Sequence, residues 1–319
     1  MTPLDIFLND RQRLRSGWRL IIFCAVYYAI LGASFITIHG AFRLLKVSNP
    51  NARLAGTFGY LVQVFVLFTT ALVVGWGCGR LMEDLPLRAL GWSRHRGWMR
   101  DLVCGTLLGA LSLTLAALIV TVFGGYQFSF APAGLSGAFV KTFFGSAVIF
   151  IMAAAAEEVL FRGYPLQTMM RSLPFLAALV PSSVLFAYVH LDNPNVARGF
   201  TFVNTTLAGI WLAVAYLRTR SLWFPLGLHW AWNWAMGALL GLPVSGITSL
   251  TRAPLLRAVD TGPAWLTGGA YGIEGGAACT LALVVSTIFI WKTGWLKADE
   301  ELKKFTDAEL PGKAISSDK

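Results

Sequence analysis

Charge is scarce in this sequence. Among 319 residues, 16 are acidic and 26 basic. Charged residues therefore make up 13% of the chain, where a soluble domain carries about 25%. Set against 56% hydrophobic residues, that deficit excludes an ordinary water-soluble globule. Cysteine is scarce as well. Cys24, Cys78, Cys104 and Cys279 fall one to an apolar run without CxxC spacing, which argues against a disulfide framework or a thiolate metal site and leaves them as small core residues. There are four histidines and no HExxH, so a zincin helix is excluded. Repeats and linkers are also lacking, so the chain reads as one transmembrane domain over 1–319.

What the sequence does have is long apolar runs. Those near the ~20 residues needed to cross a bilayer begin around Trp18, Thr57, Leu102, Phe139, Pro174, Phe200, Leu222 and Ala277. They predict an all-α, polytopic membrane protein with about eight transmembrane helices. The bounds are least sharp at Pro174 and Phe200, where the turn between them is short and polar. The first run exceeds a signal-peptide core of about 7–15 residues, so it is expected to be a span and not a cleavable signal.

Lysine and arginine set the orientation. With the N-terminus inside, the inner segments hold Arg11, Arg13, Arg15 and Arg19, then Arg80, Arg88, Arg94, Arg96 and Arg100, and later Arg162, Arg171, Arg218, Arg220 and the lysines of the tail. The outer segments hold fewer: Arg43, Lys46, Arg53, Lys141, Arg198, Arg252 and Arg257. Both termini are expected in the cytoplasm, with the protein multi-pass in a bacterial inner membrane. Topology accounts for the net charge of +10, and no nucleic-acid partner is implied. The tail from Lys297 to Lys319 mixes charge signs and reads as a frayed helix followed by disorder. The sequon at Asn204 falls inside a span and is chance.

Against this background AAAAEEVLFRG, Ala153 to Gly163, is out of place, because an ionisable group within a membrane is by default functional. On a helix Glu158 and Arg162, four apart, share a face, while Glu157 points about 100° away. Arg162 can neutralise Glu158 and leave Glu157 for other work. The plainer reading is an ion pair at the inner boundary. SSVLFAYVH ends a run with His190 four residues after Phe186, and SLWFPLGLHWAWNW places His229 and Asn233 on one helical face. The tryptophans around them, Trp230, Trp232 and Trp234, read as packing or an interfacial belt. His39 and His95 lie near span ends with no evident partner.

If the helix of Glu157 runs on to about Met170, turns near Ser172 and returns from Pro174, then Glu157 and His190 reach similar heights, within about one helical turn. His229 lies early in a span that also starts inside. The groups could meet in a polar cavity in the cytoplasmic half of the membrane. Such a set suits amide hydrolysis. A carboxylate and an imidazole activate water, and a second imidazole and a carboxamide stabilise the oxyanion. Glu157, His190 and His229 could instead hold a zinc ion with an open position for water. Sequence leaves both routes open.

Glu157-Glu158-x-x-x-Arg162, Phe186-x-x-x-His190 and His229-x-x-x-Asn233 resemble the three motifs of the CPBP family, the CAAX proteases and bacteriocin-processing enzymes, which include type II CAAX prenyl endopeptidases and lysostaphin-resistance-type proteins. The resemblance covers roughly Phe139 to Leu240, read as the catalytic core over 139–240. It implies an intramembrane endopeptidase in which Glu157 and His190 activate water and His229 and Asn233 stabilise the oxyanion. Glu158, Arg162 and Phe186 support the site. The family is conventionally called a metalloprotease, and a metal-free glutamate mechanism has been argued for it. The partners implied are membrane lipid and a membrane-associated or lipidated peptide or protein.

Two other readings compete. Gly134-Leu135-Ser136-Gly137 resembles the GxSG of rhomboid serine proteases, but its plainer reading is a glycine-serine turn before a helix, and a serine mechanism leaves the other three motifs unexplained. A non-enzymatic immunity, scaffold or transport protein could also carry polar residues in its spans. Transport predicts internal symmetry or paired broken helices, and neither is visible.

Overall fold

In the computed structural model the described residues are 6–46, 56–132, 134–197 and 199–307. Arg53, Arg198, Lys313, Lys319 and the disorder expected at the end of the tail lie outside them.

Apolar runs in lipid must satisfy their main chain internally, which favours helices. The helices are α1 (Ser16–Leu44), α2 (Thr57–Glu83), α3 (Trp98–Val122), α4 (Gly137–Phe161), α5 (Tyr164–Met170), α6 (Phe175–Val189), α7 (Phe200–Thr219), α8 (Trp223–Trp234), α9 (Ala264–Thr267), α10 (Ala277–Lys292) and α11 (Glu300–Asp307). Among the described residues five stretches are long and apolar enough to cross a membrane: α1, α2, α3, α4 continued through α5, and α7. Helices α6 and α10 are apolar but shorter, and α8 has 12 residues. The protein is a helical membrane protein, with length and composition marking five of the expected spans. One small sheet accompanies the helices. Strands β1 (Tyr126–Phe130) and β2 (Leu256–Asp260) pair antiparallel, Tyr126 opposite Asp260 and Phe130 opposite Leu256.

The helix through Glu157 does not run on to Met170 as expected. It breaks at Gly163, whose N–H donates to Glu158 O at 3.0 Å. A Cβ at Gly163 would lie 2.2 Å from Val159 O, so the break requires glycine. Pro165, in the first turn of α5, restarts the helix. Heights reckoned along one straight helix therefore do not hold. Cys78 and Cys279 are buried as expected, but Cys104 is exposed on α3, between the equally exposed Val103 and Leu107.

The chain forms two compact units. The first comprises Met1–Ser93, Ala155–Ala178 and Asp299–Lys319, and the second comprises Arg94–Ala154 and Leu179–Ala298. Phe23, Tyr27, Val74, Leu90, Val159 and Tyr164 form the first unit's core. Beside that core Glu83 accepts from Arg19 Nη1 at 2.5 Å and from Arg171 Nε at 2.7 Å, all three side chains being buried, so α1, α2 and the end of α5 are tied by charge. In the second unit α3 and α8 touch backbone to backbone. A Cβ at Gly105 would lie 2.2 Å from Phe224 O, one at Gly109 2.3 Å from Leu228 O, and one at Gly227 2.4 Å from Leu102 O. Small residues four apart permit this approach in a membrane.

Candidate active site

Each unit carries part of the expected set. In the first unit, Glu158 and Arg162 are both buried, with Arg162 Nη1 3.3 Å from Glu158 Oε1 at the spacing expected on α4. Glu157 itself is half-buried.

In the second unit His190 follows the last turn of α6, and its Nδ1 lies 2.6 Å from Phe186 O. A carbonyl oxygen can only accept, so Nδ1 carries the hydrogen and the lone pair of the neutral ring is on Nε2. The Phe186 ring lies 4.5 Å from the His190 ring and 6.3 Å from that of His229. Phe186 is thus a buried wall beside both imidazoles. His229 is buried and Asn233 half-buried, both on α8.

Local sequence explains how α8 is held. Arg220 ends α7 in the left-handed region, φ 55, and Ser221 Oγ accepts the Trp223 N–H at 3.2 Å where α8 begins. Beyond the glycine contacts with α3, the tryptophans do more than the packing or belt expected of them. Trp230 Nε1–H donates to Ala147 O and Trp234 Nε1–H to Phe143 O, each at 3.0 Å, and the two rings stack at 5.4 Å. Trp232 Nε1–H donates to Glu274 Oε1 at 3.1 Å. At ~100° per residue, Trp232 lies about 60° to one side of His229, while Trp230 and Trp234 lie about 100–140° to the other. The indoles bracket the face that carries His229 and Asn233. After Trp234 the helix widens into a π-helical stretch, Ala235–Leu239, a feature common near functional sites.

Glu274 is a residue the sequence reading missed. Its Oε2 accepts from the N–H and Oγ–H of Ser245 at 2.7 and 3.1 Å. Burial pushes its carboxyl up, while the donors of Ser245 and Trp232 pull it down, and burial prevails. The only available signal was a lone acid in Gly272-Ile273-Glu274-Gly275-Gly276, immediately before an apolar run. The sequon residue Asn204 is internal, its Nδ2 donating to Glu274 O and Gly276 O at 2.8 Å. His95, which had no evident partner in sequence, has its Nε2 3.5 Å from Asp101 Oδ2, and His39 Nδ1 lies 2.9 Å from Phe35 O. Ser136 is exposed in a bend before α4, where its carbonyl accepts from Val140 N–H at 3.1 Å, at the opposite end of that helix from Glu157.

Among the described residues no group of three or more His, Cys, Asp or Glu is placed to hold a metal ion. No step below passes through a metal. No curated protein and no solved structure matches the chain. Residues 139–235 match the family model described as type II CAAX prenyl endopeptidase Rce1-like. That segment contains Glu157, Glu158, Arg162, Phe186, His190, His229 and Asn233, and so all three motifs lie within the stretch that is similar to this family.

Proposed function

We propose that the protein is an intramembrane endopeptidase that hydrolyses peptide bonds of membrane-associated or lipidated substrates, with Glu157 and His190 activating water and His229 and Asn233 donating to the oxyanion. The observation that carries this reading is the hydrogen bond between His190 Nδ1 and Phe186 O at 2.6 Å. It fixes the tautomer whose Nε2 can accept a proton, as a general base requires. The family match over residues 139–235 supports the reaction class.

The roles follow from chemistry. Water loses a proton toward the carboxylate of Glu157 or Nε2 of His190, and its oxygen attacks the amide carbon. Negative charge then develops on the carbonyl oxygen, where hydrogen bonds from the His229 imidazole and the Asn233 amide stabilise it, the largest single effect in most such reactions. The carbonyl then re-forms, the C–N bond breaks, and the proton passes to the nitrogen of the leaving amine. Glu158 is occupied by Arg162 at 3.3 Å and serves to hold the helix end.

The test compares the membrane proteomes of cells carrying the wild-type protein or Glu157→Gln, looking for new protein termini. Glu157→Gln is nearly isosteric but cannot take the proton, so normal membrane levels with cleavage reduced on the order of 10² or more are expected. Identical termini in both strains would overturn the enzymatic reading. Chelation of the purified protein separates the two routes to water. Cleavage lost and restored by zinc would assign Glu157, His190 and His229 as ligands, and unchanged cleavage would leave carboxylate and imidazole to act alone. A reporter fused after Lys319 is expected in the cytoplasm, and an exported reporter would sink the orientation.

A further inference from the structure

The hydrolysis scheme gives Glu274 no role, yet Glu274 is the most heavily hydrogen-bonded acid of the second unit's long connecting segment. Of the two acids in 241–276, Asp260 is exposed. Glu274 instead accepts from Ser245 N–H at 2.7 Å, Ser245 Oγ–H at 3.1 Å and Trp232 Nε1–H at 3.1 Å. Its own carbonyl accepts from Asn204 of α7 at 2.8 Å. One residue thus joins α7, α8 and the turn around Ser245. That turn also meets the chain just beyond His190, since Asn195 Nδ2 donates to Gly246 O at 3.3 Å and a Cβ on Gly246 would lie 1.9 Å from Pro194 O.

The partner on α8 matters most. Trp232 is the sole indole on its side of the His229 and Asn233 face, opposite Trp230 and Trp234, which are anchored on the main chain of α4 at 3.0 Å. The close backbone contact with α3 supports the back of α8, and the bonds to α4 hold one flank. The bond between Glu274 and Trp232 holds the other flank and sets the final rotation of the face that carries His229 and Asn233. Oxyanion donors must be held within about 0.5 Å of the productive geometry to act on the transition state.

We propose that Glu274 is a positioning residue for peptide hydrolysis, fixing through Trp232 the rotation of α8 and hence the aim of His229 and Asn233. This rests on the endopeptidase reading above. A residue of this kind affects transition-state stabilisation more than substrate binding, so its loss lowers kcat and leaves KM in place. Glu274→Gln keeps size and shape but has one acceptor oxygen and two amide hydrogens, so Ser245 N–H and Trp232 Nε1–H, which face different oxygens now, compete for a single acceptor.

The experiment measures kcat, KM and thermal unfolding for full-length Glu274→Gln and Trp232→Phe, using a quenched fluorogenic peptide that spans a cleavage site found in the proteome comparison. The expected result is a kcat about ten- to a hundredfold lower, with KM within about twofold and unfolding lowered by only about 2–4 °C in Trp232→Phe, which keeps a large ring but no N–H. Trp232→Phe also serves as the deciding variant if Glu274→Gln fails to fold. Unchanged kcat in Trp232→Phe, or a rise in KM with kcat intact, would overturn the proposal. The two readings fail separately. Full cleavage by Glu157→Gln sinks the endopeptidase scheme, whereas dead Glu157→Gln beside fully active Trp232→Phe sinks the role of Glu274 alone.

Discussion

In the first unit carboxylates are met by guanidinium groups: Glu83 by Arg19 at 2.5 Å and Arg171 at 2.7 Å, and Glu158 by Arg162 at 3.3 Å. In the second unit Glu274 is met by an amide, a hydroxyl and an indole, and His190 by a carbonyl at 2.6 Å. Charge met by charge out of water is offset, fully for Glu158 with Arg162 and with one positive charge in excess around Glu83, and losing one member strands what is left. Neutral partners leave the held group's charge free to act on a third party while fixing its direction. The arginine-held acids are therefore suited to holding the fold, and the groups held by neutral partners to chemistry and its aim.

Substitutions can break that contrast in graded steps. Glu83→Gln should cost the most stability, about 5 kcal/mol, the upper end for removing one partner of a buried ion set, because two guanidinium groups are left behind. Thermal unfolding in detergent measures it, and a shift of a few degrees or less would show that the cluster is hydrated. Glu158→Gln strands Arg162 alone and should cost about 3 kcal/mol, with lower abundance. If Glu158→Gln is instead the well-folded dead variant and Glu157→Gln still cleaves, the two roles are reversed.

Smaller effects are expected from neutral contacts. Gly109→Ala puts a methyl group where Leu228 O stands 2.3 Å away, and the separation of α3 from α8 should cost about 1–3 kcal/mol, readable as a lower melting temperature. Trp234→Phe deletes one hydrogen bond to Phe143 O and should cost about 1 kcal/mol. Ser136→Ala, at an exposed bend, should leave abundance and cleavage rate unchanged, and lost cleavage at normal abundance would revive a serine mechanism.

What was legible in the sequence was local. Glu158 and Arg162 pair because four residues return to the same helical face, and His190 meets the carbonyl of Phe186 by the same spacing. Apolar run length located the helices for the same reason. The break at Gly163 was hidden, since a glycine before Tyr164 and Pro165 reads equally as a tolerated interior residue, and only the crowding against Val159 O shows that it is required. The acceptor of Trp232 lies 42 positions downstream, in a loop whose path no periodicity encodes. Gly105 and Gly109 stood in plain view at small-residue spacing, but which helix they would admit was fixed by Gly227, on a different span. The pairing of β1 with β2 was likewise invisible, each strand being five residues long and far from the other in sequence.

The backbone contact between α3 and α8 has a mechanical consequence. Where Gly105, Gly109 and Gly227 bring main chains together, no seam remains wide enough for an acyl chain. Lipids can press on the outer surface of the pair but cannot wedge it open. Changes in bilayer thickness, which membrane helices accommodate by tilting, should therefore move α3 and α8 as a single rigid beam, with the imidazole of His229 carried along and not twisted relative to its support.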